Sequence, residues 1–258
     1  MSNDFSSKKE KRQLADGVYE VWKERGETLA ELLKRFRHEK GFSSDKPITY
    51  AGRLDPMAEG VVLLLYGNAR FEKDTYLRAT KTYEVDVLFG VETDSLDPLG
   101  VITNYSTKPI SRDDITKVIF SMKDIVSLPY PQYSSRPVDG VPLFVHARKG
   151  TSVSLPEKKV MVHAVEIHSI TGVDFFEYAS RAIEDIGKVV GDFRQQECIA
   201  SWKQALEKSA LKQCTVATIS VTVSSGTYMR SLAKWCGEQL GVPAIAYRIV
   251  RTAILHSF

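Results

Sequence analysis

Apolar residues recur at helical spacing in some parts of the chain and alternate with polar residues, as in strands, in others. The first helix is predicted to begin after Thr28, which has the spacing of a capping box, and to end near Gly41. A second amphipathic stretch covers residues 175–211, and Gly187 and Gly191 within it indicate a break between two helices. The chain therefore contains long helices with one apolar face, which have to pack on a larger core.

Strand patterns occur between these helices. The glycine-bounded apolar run at 60–67 predicts a buried strand, and residues 82–88 predict a half-buried one. A further strand is predicted at 161–170, and the clearest alternation, at 217–224, leads into a last helix that ends before Pro243. Because strands and helices mix without a regular βαβ rhythm, the pattern favours the α+β class.

Composition places the 258-residue chain among folded proteins, with 43% hydrophobic and 26% charged residues. The net charge of +3 is too small to indicate an anionic partner by itself. The three cysteines include no CxxC pair, which disfavours a disulfide framework or a thiolate zinc site and favours a reducing compartment. The longest aliphatic run, 61–65, is far shorter than the roughly 20 residues that cross a bilayer. We therefore expect a cytoplasmic protein without membrane segments, with an organelle or the nucleus as the alternative location.

Several common site types lack their sequence signatures. The chain contains neither the phosphate-binding GxxxxGK[ST] loop nor the dinucleotide-binding GxGxxG pattern. His163 and His168 are five residues apart in a predicted strand, which places them on opposite faces and disfavours a zinc site. Ser225 lacks the flanking residues of a nucleophile elbow. The sequence therefore predicts no metal or cofactor site.

One acidic residue is a candidate for chemistry. Asp55 lies in a turn bounded by Gly52 and Gly60, and Pro56 disfavours helical geometry for it. A carboxylate, with an ordinary pKa of roughly 3.9, is ionised at neutral pH and can act as a nucleophile without a partner base. Arg230, in the first turn of the last helix, is the candidate cation beside it. Capping of the turn by Asp55 and simple packing of Arg230 are the alternatives.

Four motifs follow one another along the chain: GRLDPMAEG at 52–60, KTYEVDVLFGVETDSLDPLG at 81–100, YPQYSSRPVDGVPLFVHARKG at 130–150 and SSGTYMRSLAKWCGEQLG at 224–241. In order and approximate spacing they resemble the successive motifs of TruB-type RNA pseudouridine synthases. The resemblance extends over most of the chain. Each motif alone is a modest signal, whereas four in sequence are highly specific.

The resemblance implies roles for three residues. Asp55 corresponds to the aspartate that attacks the target uridine while its N-glycosidic bond is exchanged for a carbon–carbon bond. Tyr83 corresponds to the tyrosine that stacks on the flipped base and assists proton removal at C5, and Arg230 to the arginine that pairs with the aspartate. Attack at C1′, addition to C6 and a glycal route remain open for the aspartate. Isomerisation conserves every atom, so no cofactor, metal or cosubstrate is expected.

The resemblance also implies which residues contact the substrate. Loop 129–150 corresponds to the mobile thumb that closes over the T-arm of tRNA. Tyr50 stands in place of a histidine that helps to splay the target base, and Thr252 in place of a leucine that packs against the pocket. The predicted substrate-binding residues are Tyr50, Arg53, Tyr133, Arg136, Arg148, Lys149 and Thr252, and the predicted phosphate contacts also include Lys34 and Arg37.

The expected fold is that of the pseudouridine synthases, a mixed and largely antiparallel sheet flanked by helices around a central RNA-binding cleft. We predict a flexible tail over residues 1–13 and a single catalytic domain over 14–258. The helical segment 175–212 is longer than the hairpin turn of the family, and an RNA contact, a protein partner or packing on the sheet are alternative roles for this insertion. No C-terminal PUA domain is expected, because the sequence ends soon after Arg251.

The leading hypothesis is thus a monomeric enzyme that isomerises the T-loop uridine of tRNA by base flipping. Ribosomal or messenger RNA is the alternative substrate. A non-catalytic RNA-binding or RNA-folding factor on the same fold is the alternative of a different class, and retention of Asp55, Tyr83 and Arg230 together disfavours it.

Overall fold

The computed structural model describes residues 12–43 and 45–255. Its strands are β1 (Arg12–Ala15), β2 (Val18–Lys23), β3 (Ile48–Ala51), β4 (Ala58–Tyr66), β5 (Thr80–Phe89), β6 (Val91–Thr93), β7 (Ile102–Tyr105), β8 (Asp124–Pro129), β9 (Pro137–Val138), β10 (Val141–Pro142), β11 (Glu157–Asp174), β12 (Gln213–Val223) and β13 (Ala244–Leu255). Its helices are α1 (Leu29–Lys40), α2 (Lys73–Leu77), α3 (Arg112–Ser121), α4 (Leu143–Arg148), α5 (Phe175–Lys188), α6 (Gln195–Lys208) and α7 (Met229–Leu240), and a 3₁₀ segment, Gly67–Glu72, precedes α2.

Most strands of the described region join one sheet, in the order β1-β2-β4-β13-β5-β12-β11-β8, with β3 paired to β4. The strands pair antiparallel except for β4 and β13, which run parallel. The predicted α+β class and mixed, largely antiparallel sheet are therefore confirmed. Two short hairpins, β6-β7 and β9-β10, lie outside this sheet.

Helix α1 begins and ends as its sequence predicts. The Thr28 hydroxyl accepts a hydrogen bond from the Glu31 backbone N–H, and the Glu31 carboxylate accepts one from the Thr28 N–H in return. Gly41 ends the helix in the left-handed conformation, with φ of 62°. The buried residues of α1 pack on one face of the sheet together with those of α3 and α7.

Helices α5 and α6 occupy the stretch for which two helices were predicted, and they cover the opposite face of the sheet. Phe175 of α5 and Trp202 of α6 are fully buried, with their rings 6.3 Å apart. They share a core with Leu88 of β5 and Ile245 of β13, whereas the neighbours of Leu88 along β5 face the other core. Of the alternative roles for the insertion, the structure shows packing on the sheet.

Five strands of the sheet are not among those that the sequence predicts, namely β1, β2, β3, β8 and β13. Strand β13 lies between β4 and β5, yet no element was predicted after Pro243, because a strand buried on both faces lacks the alternation of polar and apolar residues. The predicted flexible tail, 1–13, falls mainly outside the described residues, but residues 12 and 13 belong to β1, which pairs with β2. Across the described ranges, no helix has the length and apolar character of a transmembrane segment.

Candidate active site

The turn that joins β3 to β4 carries Asp55, and a buried lysine holds this turn in place. Lys23, at the end of β2, has no exposed surface, and its Nζ donates hydrogen bonds to the carbonyl oxygens of Ala58 at 2.6 Å and Pro56 at 3.1 Å. The backbone N–H of Gly26 donates a further bond to the Pro56 carbonyl. Burial lowers the pKa of Lys23 to about 8. The lysine thus fixes the chain directly after Asp55.

A buried arginine holds the other side of the same turn. Arg251 of β13 is 1% exposed, and its guanidinium donates to the carbonyls of Gly52 at 2.8 Å and Val61 at 2.6 Å. Gly60 is the point at which β4 meets β13, because a Cβ there would lie 2.3 Å from the Arg251 carbonyl oxygen. Its φ of +118° also favours glycine. Two buried cations therefore determine the position of the Asp55 turn.

Arg230 forms an ion pair with Asp55. This second residue of α7 is 3% exposed, and its Nη2 lies 2.8 Å from Asp55 Oδ2. Its Nη1 donates to the Ser95 carbonyl at 2.8 Å, and its Nη2 to the Tyr133 carbonyl at 3.2 Å. The Asp55 side chain keeps 29% of its surface exposed. The pair therefore consists of a buried cation and a carboxylate that is partly exposed to solvent.

A second carboxylate approaches Arg230 from inside the protein. Asp97 Oδ2 lies 3.7 Å from Arg230 Nε, a buried nitrogen that has no hydrogen-bond partner among the described residues. Asp97 Oδ1 accepts hydrogen bonds from the Ser95 hydroxyl and the Leu99 N–H. Burial raises the pKa of Asp97 above its ordinary value, and Arg230 opposes that rise. Burial alone would lower the pKa of Arg230, but Asp55 and Asp97 raise it, so the guanidinium stays charged.

Two cavities meet at Asp55. Both are lined by Arg53, Asp55, Tyr228 and Arg230. The smaller, of about 230 Å³, adds Tyr83 and Lys81 of β5 and Ile249 of β13. Burial raises the pKa of Tyr228, and the Asp55 charge adds to this effect. An aromatic ring and a carboxylate thus share one cavity, an arrangement that suits a planar base and a nucleophile.

The larger cavity, of about 360 Å³, lies on the other side of Asp55. Five segments of the chain line it, namely the Asp55 turn, the 95–99 loop, the thumb-like loop 129–150, the connection between α5 and α6, and the start of α7. Burial raises the pKa of Tyr133, on the thumb-like loop, to about 12. Its ring stacks under the Arg194 guanidinium at 4.2 Å.

The structure brings some of the predicted site residues together and separates others. Asp55, Arg230 and Tyr83 share the smaller cavity. Arg53 lines both cavities, and Tyr133 and Arg148 line the larger one. The predicted substrate-binding residues that line neither cavity are Tyr50, whose ring lies under Lys73, Arg136, whose guanidinium covers Tyr130, the exposed Lys149, and Thr252, which donates to the Thr82 carbonyl.

The two predicted phosphate contacts on α1 differ in their surroundings. Lys34 is exposed, whereas Arg37 donates to the Ser43 and Lys46 carbonyls of the loop that follows the helix. Arg37 therefore ties the loop that follows the helix to its own helix.

Four residues of the site were not identified from the sequence: Lys23, Asp97, Tyr228 and Arg251. Tyr228 lies two residues before Arg230 in the same motif, so its proximity was the clearest available signal. Asp97 follows the strand that holds Tyr83 in the second motif. The sequence does not indicate that Lys23 and Arg251 hold the Asp55 turn, because this role depends on contacts with carbonyls that are distant in the sequence.

The chain resembles known proteins in sequence and in fold. The model of the TruB family pseudouridylate synthase, N-terminal domain, matches residues 40–181. Proteins named tRNA pseudouridine synthase B from Staphylococcus aureus strains Newman and MRSA252 are 29% identical over 242 and 240 residues, which cover 92% of this chain and 65% of each relative. The chain thus spans just under two thirds of the length of these relatives.

Solved structures share the fold at lower sequence identity. The chain aligns with a Cbf5-Nop10-Gar1 complex at a TM-score of 0.54 and 16% identity, covering 92% of this chain and 48% of the other. It aligns with an archaeal box H/ACA sRNP Nop10-Cbf5 complex at a TM-score of 0.53 and 17% identity, covering 93% and 48%.

Proposed function

The chain belongs to the TruB family of pseudouridylate synthases, and we propose that it isomerises a uridine in RNA to pseudouridine with Asp55 as the nucleophile. The observation that carries this proposal is the ion pair between Asp55 and the buried Arg230, at the floor of the cavity that contains Tyr83. Arg230 holds the carboxylate in place through this ion pair. Its other bonds, to the Ser95 and Tyr133 carbonyls, prevent the guanidinium from following Asp55 into solvent.

The proposed reaction conserves the atoms of the nucleotide. The bond between N1 of uracil and C1′ breaks, a bond between C5 and C1′ forms, C5 loses its proton and N1 gains one. Asp55 attacks the nucleotide at C1′ or C6, or removes the C2′ proton on a glycal route. The ring of Tyr83 lies against the base and replaces the stacking that is lost on flipping, while its hydroxyl assists removal of the C5 proton. Each route uses one carboxylate in one cavity.

We propose the T-arm of tRNA as the substrate, with the T-loop uridine as the target. The names of the Staphylococcus aureus relatives, and the position of Tyr133 and Arg148 of the thumb-like loop in the larger cavity, support this choice. A loop that closes over a hairpin holds the extruded base away from water. Ribosomal and messenger RNA hairpins remain the alternative substrates.

The proposal extends to the state and location of the protein. We expect a monomer that needs no cofactor and works in the cytoplasm. The three cysteines are free and buried, as is usual for proteins of a reducing compartment. Because α5 and α6 bury their apolar faces on the sheet, the insertion can complete the fold without a protein partner.

Carbodiimide mapping tests this function. The purified chain is incubated with unmodified tRNA transcript, treated with carbodiimide and alkali, and read by reverse transcription. We expect a new stop at the T-loop uridine. A new stop only in ribosomal or messenger RNA would identify that RNA as the substrate instead. Binding of RNA without a new stop in any of them would favour a non-catalytic RNA-folding factor.

A further inference from the structure

The connection between α5 and α6 extends from the packed helices to the rim of the larger cavity. It contributes Asp192, Phe193 and Arg194 to the lining. Gln195 orders this connection, since its side-chain amide donates to the carbonyls of Val189 and Gly191, and its oxygen accepts from the Phe193 N–H. The Phe193 ring packs partly against the core of the insertion and partly lines the cavity. The connection is thus a built wall rather than a loose loop.

The same connection is fixed relative to Asp55. Arg194 binds Asp94 with two hydrogen bonds, at 2.8 and 3.1 Å. The indole of Trp202 donates to the Pro98 carbonyl at 3.0 Å, and Ser201 Oγ accepts from the Ile102 N–H. These contacts dock the insertion on the loop that also supplies Ser95 and Asp97 to Arg230. Residues 94–102 therefore contact both the insertion and Arg230, the partner of Asp55.

The lining of this cavity has the chemistry of a nucleotide site. Aromatic rings provide surfaces for a base, and guanidinium groups provide contacts for phosphate. Its volume, about 360 Å³, is within the usual range for small-molecule sites. The residues concerned are Tyr133, Phe144 and Phe193 among the aromatic side chains and Arg53 and Arg148 among the basic ones.

We propose that this cavity binds a second unstacked nucleotide of the substrate, adjacent in sequence to the target uridine, and that Phe193 stacks on its base. The inference rests on the proposed function and deepens it. Because the two cavities meet at Asp55, a nucleotide joined to the target by a single phosphate can reach the second one. Arg53 lines both cavities, and its exposed guanidinium forms no hydrogen bond or ion pair with another described residue. It is placed to bind the phosphate between the two nucleotides.

One ion pair crosses the rim of this site. Arg148 Nη1 of the thumb-like loop lies 3.0 Å from Asp192 Oδ2. The pair is largely exposed, with Asp192 at 80%, so it holds the rim weakly. An RNA phosphate can replace Asp192 as the partner of Arg148, which opens the site while the thumb-like loop keeps its contact.

Paired changes in the RNA and in Phe193 test the proposal. Binding of T-arm hairpins is measured with an abasic ribose on the 5′ or the 3′ side of the target. Phe193→Leu keeps an apolar side chain but removes the ring, and the exposed Phe176→Leu, on α5 outside both cavities, is the matched control. We expect Phe193→Leu to raise the Kd for intact RNA by about 5-fold to 100-fold. With the hairpin that lacks the base bound by Phe193, the same substitution should cause no further rise in Kd. Phe176→Leu should leave all Kd values unchanged.

A second variant gives a direct signal that does not depend on the folding of Phe193→Leu. In Phe193→Trp, intact RNA should quench the added tryptophan fluorescence relative to wild type, and the matching abasic RNA should not. The second site would be overturned if Phe193→Leu and the abasic change raised Kd additively at both neighbouring positions, or if intact and abasic RNA quenched the fluorescence equally. The proposed function would still stand in that case, provided that the wild type forms product. A wild-type protein that neither binds the hairpin nor forms product would overturn both.

Discussion

Arg230 connects two carboxylates: its Nη2 is 2.8 Å from Asp55 and its Nε is 3.7 Å from Asp97. Asp55 is partly exposed, whereas Asp97 is buried. One cation therefore balances both the reactive carboxylate and an internal one. The cost of removing it falls mainly on the buried residue, because Asp55 can reach water.

Arg230→Met should destabilise the protein, because it leaves the Asp97 charge buried without its partner. The expected loss in the free energy of unfolding is about 3–5 kcal/mol. Adding Asp97→Asn removes that charge and should recover part of the loss, since an asparagine oxygen still accepts the Ser95 and Leu99 hydrogen bonds. Urea denaturation of the two single variants and the double variant measures the coupling. Strictly additive losses would contradict the shared-cation arrangement.

Asp97→Asn alone should lower activity more than RNA binding. Without the Asp97 charge, Arg230 is held less firmly and presents Asp55 less accurately. We expect the single-turnover rate to fall by about 10-fold to 100-fold, with little change in Kd for the hairpin. Asp113→Asn, in the exposed first turn of α3, is the control. An unchanged rate would show that Asp55 and the remaining hydrogen bonds of Arg230 hold its guanidinium in position without Asp97.

Gly60→Ala should disrupt the junction of β4 and β13. The new Cβ would lie 2.3 Å from the Arg251 carbonyl oxygen, at a φ of +118°. We expect a loss of at least about 3 kcal/mol in the free energy of unfolding. Gly67→Ala is the control, because its φ is also positive but no atom lies within 4 Å of the new methyl group. It should lose only about 1–2 kcal/mol. Equal losses would mean that the close approach has no effect.

Lys23 should make stability depend on pH. Burial lowers its pKa to about 8 from an ordinary value of 10.5, so between these pH values the unfolded chain binds more protons at this residue than the folded one. The wild type should therefore gain stability relative to Lys23→Met as pH rises from 8 to 10, by at most about 1.4 kcal/mol per pH unit. Titrating groups common to both proteins cancel in this difference.

Urea denaturation at several pH values measures that difference. Lys203→Met, at an exposed position of α6, controls for the loss of a lysine as such. A difference between wild type and Lys23→Met that is flat, or that falls with rising pH, would mean that burial does not lower the pKa of Lys23.

Local signals predicted much of the fold and part of the site. The capping box at Thr28, the alternation in β12 and Gly191 between α5 and α6 each act within a few residues, so the sequence reveals them directly. Strand β13 was missed because burial on both faces removes its period.

The site residues likewise divide into those that a local sequence signal identifies and those that only the folded chain brings together. Asp55 was identified from its turn, whereas Lys23 and Arg251 hold that turn through carbonyl contacts that form only in the folded chain. Tyr50 and Thr252 were predicted by their positions in the family motifs, but their side chains contact Lys73 and Thr82 outside both cavities. Motif position gives the backbone location of a residue, and packing decides where its side chain lies.

The most direct test of the account is product formation by Asp55→Asn under single-turnover conditions, at protein concentrations that saturate the T-arm hairpin. The variant keeps the size of the side chain and removes its charge. We predict that it binds the hairpin with nearly wild-type affinity and forms no detectable pseudouridine. Turnover near the wild-type rate by the bound variant would contradict the assignment of Asp55 as the nucleophile.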